Sequence, residues 1–196
     1  MKTHIKIHPS ILLISLFPVF GIADTAMTAL LWLSAAMHEA GHMLAAKRCG
    51  VFFRQITILP IGIAALPGET WKISPQKEII IAAAGPAVNL AAALLTLTLP
   101  LPANQYAVGF LYYHLAQFYI NLLPILPLDG GRILYYTLAR KHDGDSCEKI
   151  CFYCGIILLC LSFFPSAIIL IFGRNPSFLL VWFYLALYTG QKKGAI

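Results

Sequence analysis

Residues 25–46 read TAMTALLWLSAAMHEAGHMLAA, and the fold turns on how that stretch is taken. At about 1.5 Å of rise per residue it is long enough to cross the ~30 Å hydrocarbon core of a bilayer as one helix. Its C-terminal half carries His38-Glu39-Ala40-Gly41-His42, an H-E-x-x-H pattern. Positions i and i+4 of a helix share a face, so His38 and His42 can hold one metal ion. Glu39, one residue on, is then placed to take a proton from a water that the metal activates. In a soluble chain a five-residue pattern is a modest signal. Inside an apolar span, two imidazoles and a carboxylate are costly without a ligand or partners, which favours the metal over a polar patch that merely bonds neighbouring helices.

The rest of the chain supplies the membrane. Of 196 residues, 59% are hydrophobic and 11% charged, against about 45–50% and about 25% in soluble domains. A soluble core of this size cannot hide so much apolar sequence. Six runs are predicted to span, at about 9–23, 25–46, 78–99, 104–124, 150–172 and 176–190, with Asp24 as N-cap of the second and Arg174-Asn175-Pro176 as the turn before the last. The first run is not read as a signal peptide: Pro9 and Pro18 interrupt it, and no small-residue cleavage site follows. The expected fold is an all-α membrane protein of about six transmembrane helices, one polytopic domain over 1–196. A short membrane-associated β-like segment is expected near 51–67, where Val51-Phe52-Phe53 and Ile56 to Leu66 are punctuated by Pro60, Gly62, Pro67 and Gly68. Residues 131–142 are predicted as an interfacial helix carrying Arg132, Arg140 and Lys141.

The formal net charge of +6 suggests nucleic acid only until the charges are placed. With six spans both termini share a side, and all the basic residues but Arg174 fall on it. The positive-inside rule makes that side cytosolic and leaves no nucleic-acid footprint. The five cysteines show no secretory disulfide pattern, and Cys147, Cys151 and Cys154, on one helical face, are read as small buried apolar residues. Ala35, Ala36, Ala40, Gly41, Ala45 and Ala46 either permit close helix contacts around the motif or reflect helix propensity alone.

A catalytic zinc ordinarily has three protein ligands and one open position. Candidates for the third are Asp24, Glu69, Glu78, His114 and Asp129. The second and fourth spans both run inward, so His42 and Asp129 reach similar depths near the cytosolic face. Pro124 and Pro127 should end the fourth helix, and Gly130-Gly131 lets the chain turn, leaving Asp129 on a non-helical segment free to bend toward the metal. Asp24 is at the outer face, and His114 is near mid-span. The depth argument therefore favours Asp129 over its alternative reading as a turn former. His114, Gln117 and Asn121 share one face of the fourth span, suited to interhelical hydrogen bonding or to a substrate or water path.

Taken together, His38 to His42, Ala84-Gly85-Pro86-Ala87-Val88-Asn89 and Asn121 to Gly131 resemble the site-2 protease family of intramembrane zinc metalloproteases. Lys6-Ile7-His8-Pro9, with Asn121-Leu122-Leu123-Pro124 and Pro127-Leu128-Asp129-Gly130-Gly131, resembles one branch, the stage IV sporulation protein FB type. The resemblance implies Zn2+ held by His38, His42 and Asp129, Glu39 as catalytic acid and base, and Asn89 and Asn121 near the site holding substrate backbone or the developing oxyanion. It implies an endopeptidase acting in or near a membrane-embedded segment of a regulatory protein. In that branch the substrate is a membrane-associated pro-sigma factor, and inhibitory membrane proteins are partners. Neither a PDZ-like insertion nor a CBS domain after Gly190 is expected. The strand-like stretch Ile56 to Leu66 could pair with an unwound substrate, or simply pack at the membrane surface. The rival from another class is a membrane transporter or scaffold with a structural zinc.

Overall fold

The computed structural model describes residues 4–7, 24–51, 53–59, 62–67, 73–100, 104–173 and 177–192. The predicted span at 9–23, Glu69 and the turn at 174–176 lie outside the described residues. The chain divides into two compact units, Met1–Ile120 and Asn121–Ile196.

Among the described residues, the first unit holds three strands, β1 (His4–Ile7), β2 (Phe53–Leu59) and β3 (Gly62–Pro67), and three helices, α1 (Thr25–Arg48), α2 (Pro75–Thr98) and all but the last residue of α3 (Gln105–Asn121). Asp24 starts α1 by accepting the amide of Ala26 at 2.7 Å, and Lys47 and Arg48 in the last turn complement the helix dipole. The helix ends where Gly50 takes a φ of 77°, a conformation that costs glycine nothing, and Lys77 Nζ donates to the Cys49 carbonyl at 2.9 Å. Pro75 opens α2, where its missing N–H costs nothing. Within the stretch expected to be β-like, β2 and β3 pair antiparallel, with Leu59 opposite Gly62. β1 joins β2 in parallel, Ile5 opposite Ile56, giving the order β1-β2-β3. The fold is therefore not helical throughout.

Two small-residue positions set the distance between α1 and α2. A Cβ on Gly41 would stand 2.7 Å from the Ala84 carbonyl oxygen and 2.8 Å from Val88 Cγ2, so the backbone of α1 packs directly against the Ala84 carbonyl and the Val88 side chain. A turn and a half further on, Ala46 is wholly buried against Val51 and Ile81.

The second unit holds α4 (Asp129–Leu138), α5 (Gly144–Gly173) and α6 (Ser177–Lys192). Asp143 caps α5: its carboxylate accepts from the Ser146 amide at 3.1 Å and hydroxyl at 2.8 Å, which holds the acid below its ordinary pKa. Leu159 and Leu185 join α5 to α6 around Ile125, and Trp182 Nε1 donates to the Leu159 carbonyl at 2.7 Å. The predicted interfacial helix at 131–142 begins earlier, at Asp129, and ends at Leu138. Gly130 and Gly131 lie inside its first turn, where added Cβ atoms would strike the backbone of Leu122 and Leu123 and of Ile125. Their smallness thus serves packing, and Asp129 is helical rather than on an irregular segment.

Among the described residues, two helices are long and apolar enough to cross a membrane, Pro75–Thr98 and Gly144–Ile168. Their outward residues are large and bare, with Leu97 63%, Leu161 67% and Phe164 72% exposed, a pattern that water penalises and lipid does not. Gly41→Val should wedge α1 from α2 and lower stability by about 1–3 kcal/mol, read as an earlier thermal transition in detergent. An unchanged transition would contradict the contact described. Trp182→Phe, which keeps most of the ring volume and loses the donor, should cost about 1 kcal/mol in the same assay.

Candidate metal centre

His38 and His42 stand one turn apart on α1 and face α2. Their Nε2 atoms are 3.1 Å apart, with ring planes at 84°. His42 Nδ1 lies 2.7 Å from the carbonyl oxygen of Ile81, which only accepts, so Nδ1 carries the proton and Nε2 presents its lone pair. This is the arrangement by which a metal-binding imidazole is oriented from its far side. His38 is 5% exposed, and its Nδ1 is 2.9 Å from the Asn89 side-chain nitrogen.

Gly85 makes room for both rings. A Cβ there would collide with His42 Nε2 and come 2.8 Å from His38 Cε1, so the glycine of Ala84-Gly85-Pro86 is a floor beneath the imidazoles. Glu39, half-buried, follows His38 on the helix and points away from the His38–His42 edge by the helical angle of one residue.

Asn89, expected near the site, lies beside His38. It is 0% exposed, and its amide is taken up by His38, by His114 Nδ1 at 3.0 Å and by Gln117 Oε1 at 3.3 Å. His114 and Gln117, read from sequence as a polar stripe on α3, thus make interhelical hydrogen bonds to α2. The link from Asn89 to the histidines was not legible because the three residues come from three helices. Among the described residues, Ser34 Oγ and His114 Nε2 are buried atoms with no hydrogen-bond partner.

In the second unit, Asp129 is buried at the first position of α4, where the helix dipole favours a carboxylate, with Arg132 at 3.8 Å one turn on. Asn121 closes α3 and is half-buried.

The profile of peptidase family M50 matches residues 26–109 and 100–162. A zinc metalloprotease of Methanocaldococcus jannaschii is 32% identical over 173 residues, covering 84% of this chain and 48% of that one. Stage IV sporulation protein FB of Bacillus subtilis is 28% identical over 152 residues, covering 74% of this chain and 51% of its own length. The chain thus spans about half the length of these two relatives. Among solved structures, the site-2 protease from Methanocaldococcus jannaschii superposes with a TM-score of 0.69 at 25% identity, covering 97% of this chain and 91% of that one.

Gly85→Ala tests the floor beneath the rings. Its methyl group has to displace both imidazoles, so the variant should bind metal at least tenfold more weakly, measured by chelator competition. Retention of full affinity would show that the rings need no such floor.

Proposed function

Because the chain belongs to peptidase family M50, we propose that it is an intramembrane zinc metalloprotease in which His38, His42 and Asp129 hold the metal and Glu39 moves the proton. The observation that carries this reading is the pair of Nε2 atoms 3.1 Å apart, one of them fixed as a lone pair by the Ile81 carbonyl. Two imidazoles and one carboxylate are a donor set suited to zinc with a position left open for reaction. Zinc bound there supplies a Lewis acid that polarises a carbonyl and brings the pKa of water toward neutrality. Glu39 accepts the proton of the attacking water and returns it to the departing amine, so one carboxylate serves as base and then as acid.

The setting proposed is a six-span protein with both termini in the cytosol and the metal near that face. Placement of the basic residues supports it. So does the parallel pairing of β1 with β2: one sheet lies on one side of a bilayer, which calls for an even number of crossings between its strands. The substrate is a membrane-associated regulatory protein, and inhibitory or regulatory membrane proteins are its partners. The narrower reading, a pro-sigma factor of sporulation, rests on likeness to the sporulation protein. β3 is an edge of the sheet, and an unwound substrate strand could add to it, exposing carbonyls that a helix keeps bonded.

Purified protein should contain about one zinc per chain, lost in His38→Ala and in Asp129→Ala. Glu39→Gln should keep the zinc and lose cleavage of a co-expressed membrane-associated precursor by about 100-fold or more. Zinc retained together with full cleavage would defeat the role of Glu39. Zinc with no cleavage of any precursor, in wild type as well as variant, would favour a structural metal in a transporter or scaffold.

A further inference from the structure

Asn89 stands between two histidines and can serve them in only one way at a time. Its side-chain nitrogen is 2.9 Å from His38 Nδ1, and its oxygen is 3.0 Å from His114 Nδ1. A carboxamide has one donating end and one accepting end. Whichever end faces His38, the opposite end faces His114.

With nitrogen toward His38, His38 Nδ1 accepts and its proton sits on Nε2, directed at the lone pair of His42 Nε2 at 3.1 Å. The two rings then bond each other, and His38 has no lone pair there for a metal. With oxygen toward His38, Nδ1 holds the proton and Nε2 presents its lone pair beside that of His42. The amide nitrogen now faces His114 Nδ1, which has to accept, so the His114 proton resides on Nε2. Each ring keeps one proton in both arrangements, and only its position differs.

His114 is built to allow both. It is 0% exposed, its ring packs edge-on to Phe110, and its Nε2 has no hydrogen-bond partner among the described residues. His42 is held in one tautomer by a carbonyl, whereas nothing on Nε2 holds His114 in either. Gln117, at 3.3 Å from the Asn89 nitrogen, carries an amide of its own and can answer either orientation.

Resting on the zinc reading of His38 and His42, we infer that His114 is a positioning residue acting through Asn89: zinc loading turns the Asn89 amide over, and the tautomer of His114 follows. His114 thereby sets the ease with which His38 presents its lone pair.

The test is zinc affinity, by chelator competition on the full-length protein in detergent, with cobalt(II) absorption as a second readout. His114→Leu removes the acceptor and should bind zinc about 10–100-fold more weakly, with an altered cobalt spectrum. His114→Gln, whose amide can accept or donate, should recover to within about threefold of wild type by the same reasoning. A merely structural role would lower the melting temperature of the metal-free protein and leave zinc affinity and cobalt spectrum unmoved, which would overturn the inference. If His114→Leu does not fold, Asn89→Asp decides. Its carboxylate only accepts, holds His38 in the ligand form, and should bind zinc at least as tightly as wild type; tenfold weaker binding would overturn the inference. Wild type without zinc affinity would defeat the metal reading itself, whereas wild type and His114→Leu binding equally would defeat only this one.

Discussion

The bond from His42 Nδ1 to the carbonyl of Ile81 ties the helix that carries His38 and His42 to its neighbour, and much of the first unit is arranged so that it can form. An imidazole reaches a backbone carbonyl of another helix only where the two helices nearly touch. Gly41 against Ala84 brings the backbones together, and Gly85 leaves a hollow for the rings. The bond then fixes the ring's tautomer, and with it the direction in which a lone pair is offered. Close packing and ligand chemistry are here one requirement.

Polar groups in such a place are tolerated because they answer one another. His38, Asn89, His114 and Gln117 form a chain of side-chain hydrogen bonds across α1, α2 and α3. In an apolar surrounding each of these would be costly alone, and linked they draw the helices together. The exterior is the inverse, with Leu, Ile and Phe facing outward over much of α2 and α5. A soluble helix hides its apolar stripe; these hide their polar one.

The metal motif was the most legible feature of the sequence, since i and i+4 spacing and the cost of burying charge are local facts. The resemblance to the site-2 protease family, read from three short motifs, is met by the family match and by the solved structure that superposes. The helices over 25–46, 78–99, 104–124, 150–172 and 176–190 could be read from apolar length, with ends displaced by up to six residues, as at Gly144. Two things were not legible. The hydrogen bonds of Asn89 depend on contacts among three helices far apart in the chain, and a buried amide looks like any other in sequence. The helical state of Asp129 depends on Gly130 and Gly131 packing on backbone, where sequence alone suggests only a turn.

The parallel pairing of β1 with β2 sets an order of assembly. Residues 4–7, the first described part of the chain, can take their place only after residues 55–58 exist, and α1 lies wholly between them. A contact of such long sequence separation carries a loop-closure cost that local helices do not. Of the three described strands, the first to be made therefore waits for the second, and the helix bearing the two histidines is made before the sheet can form.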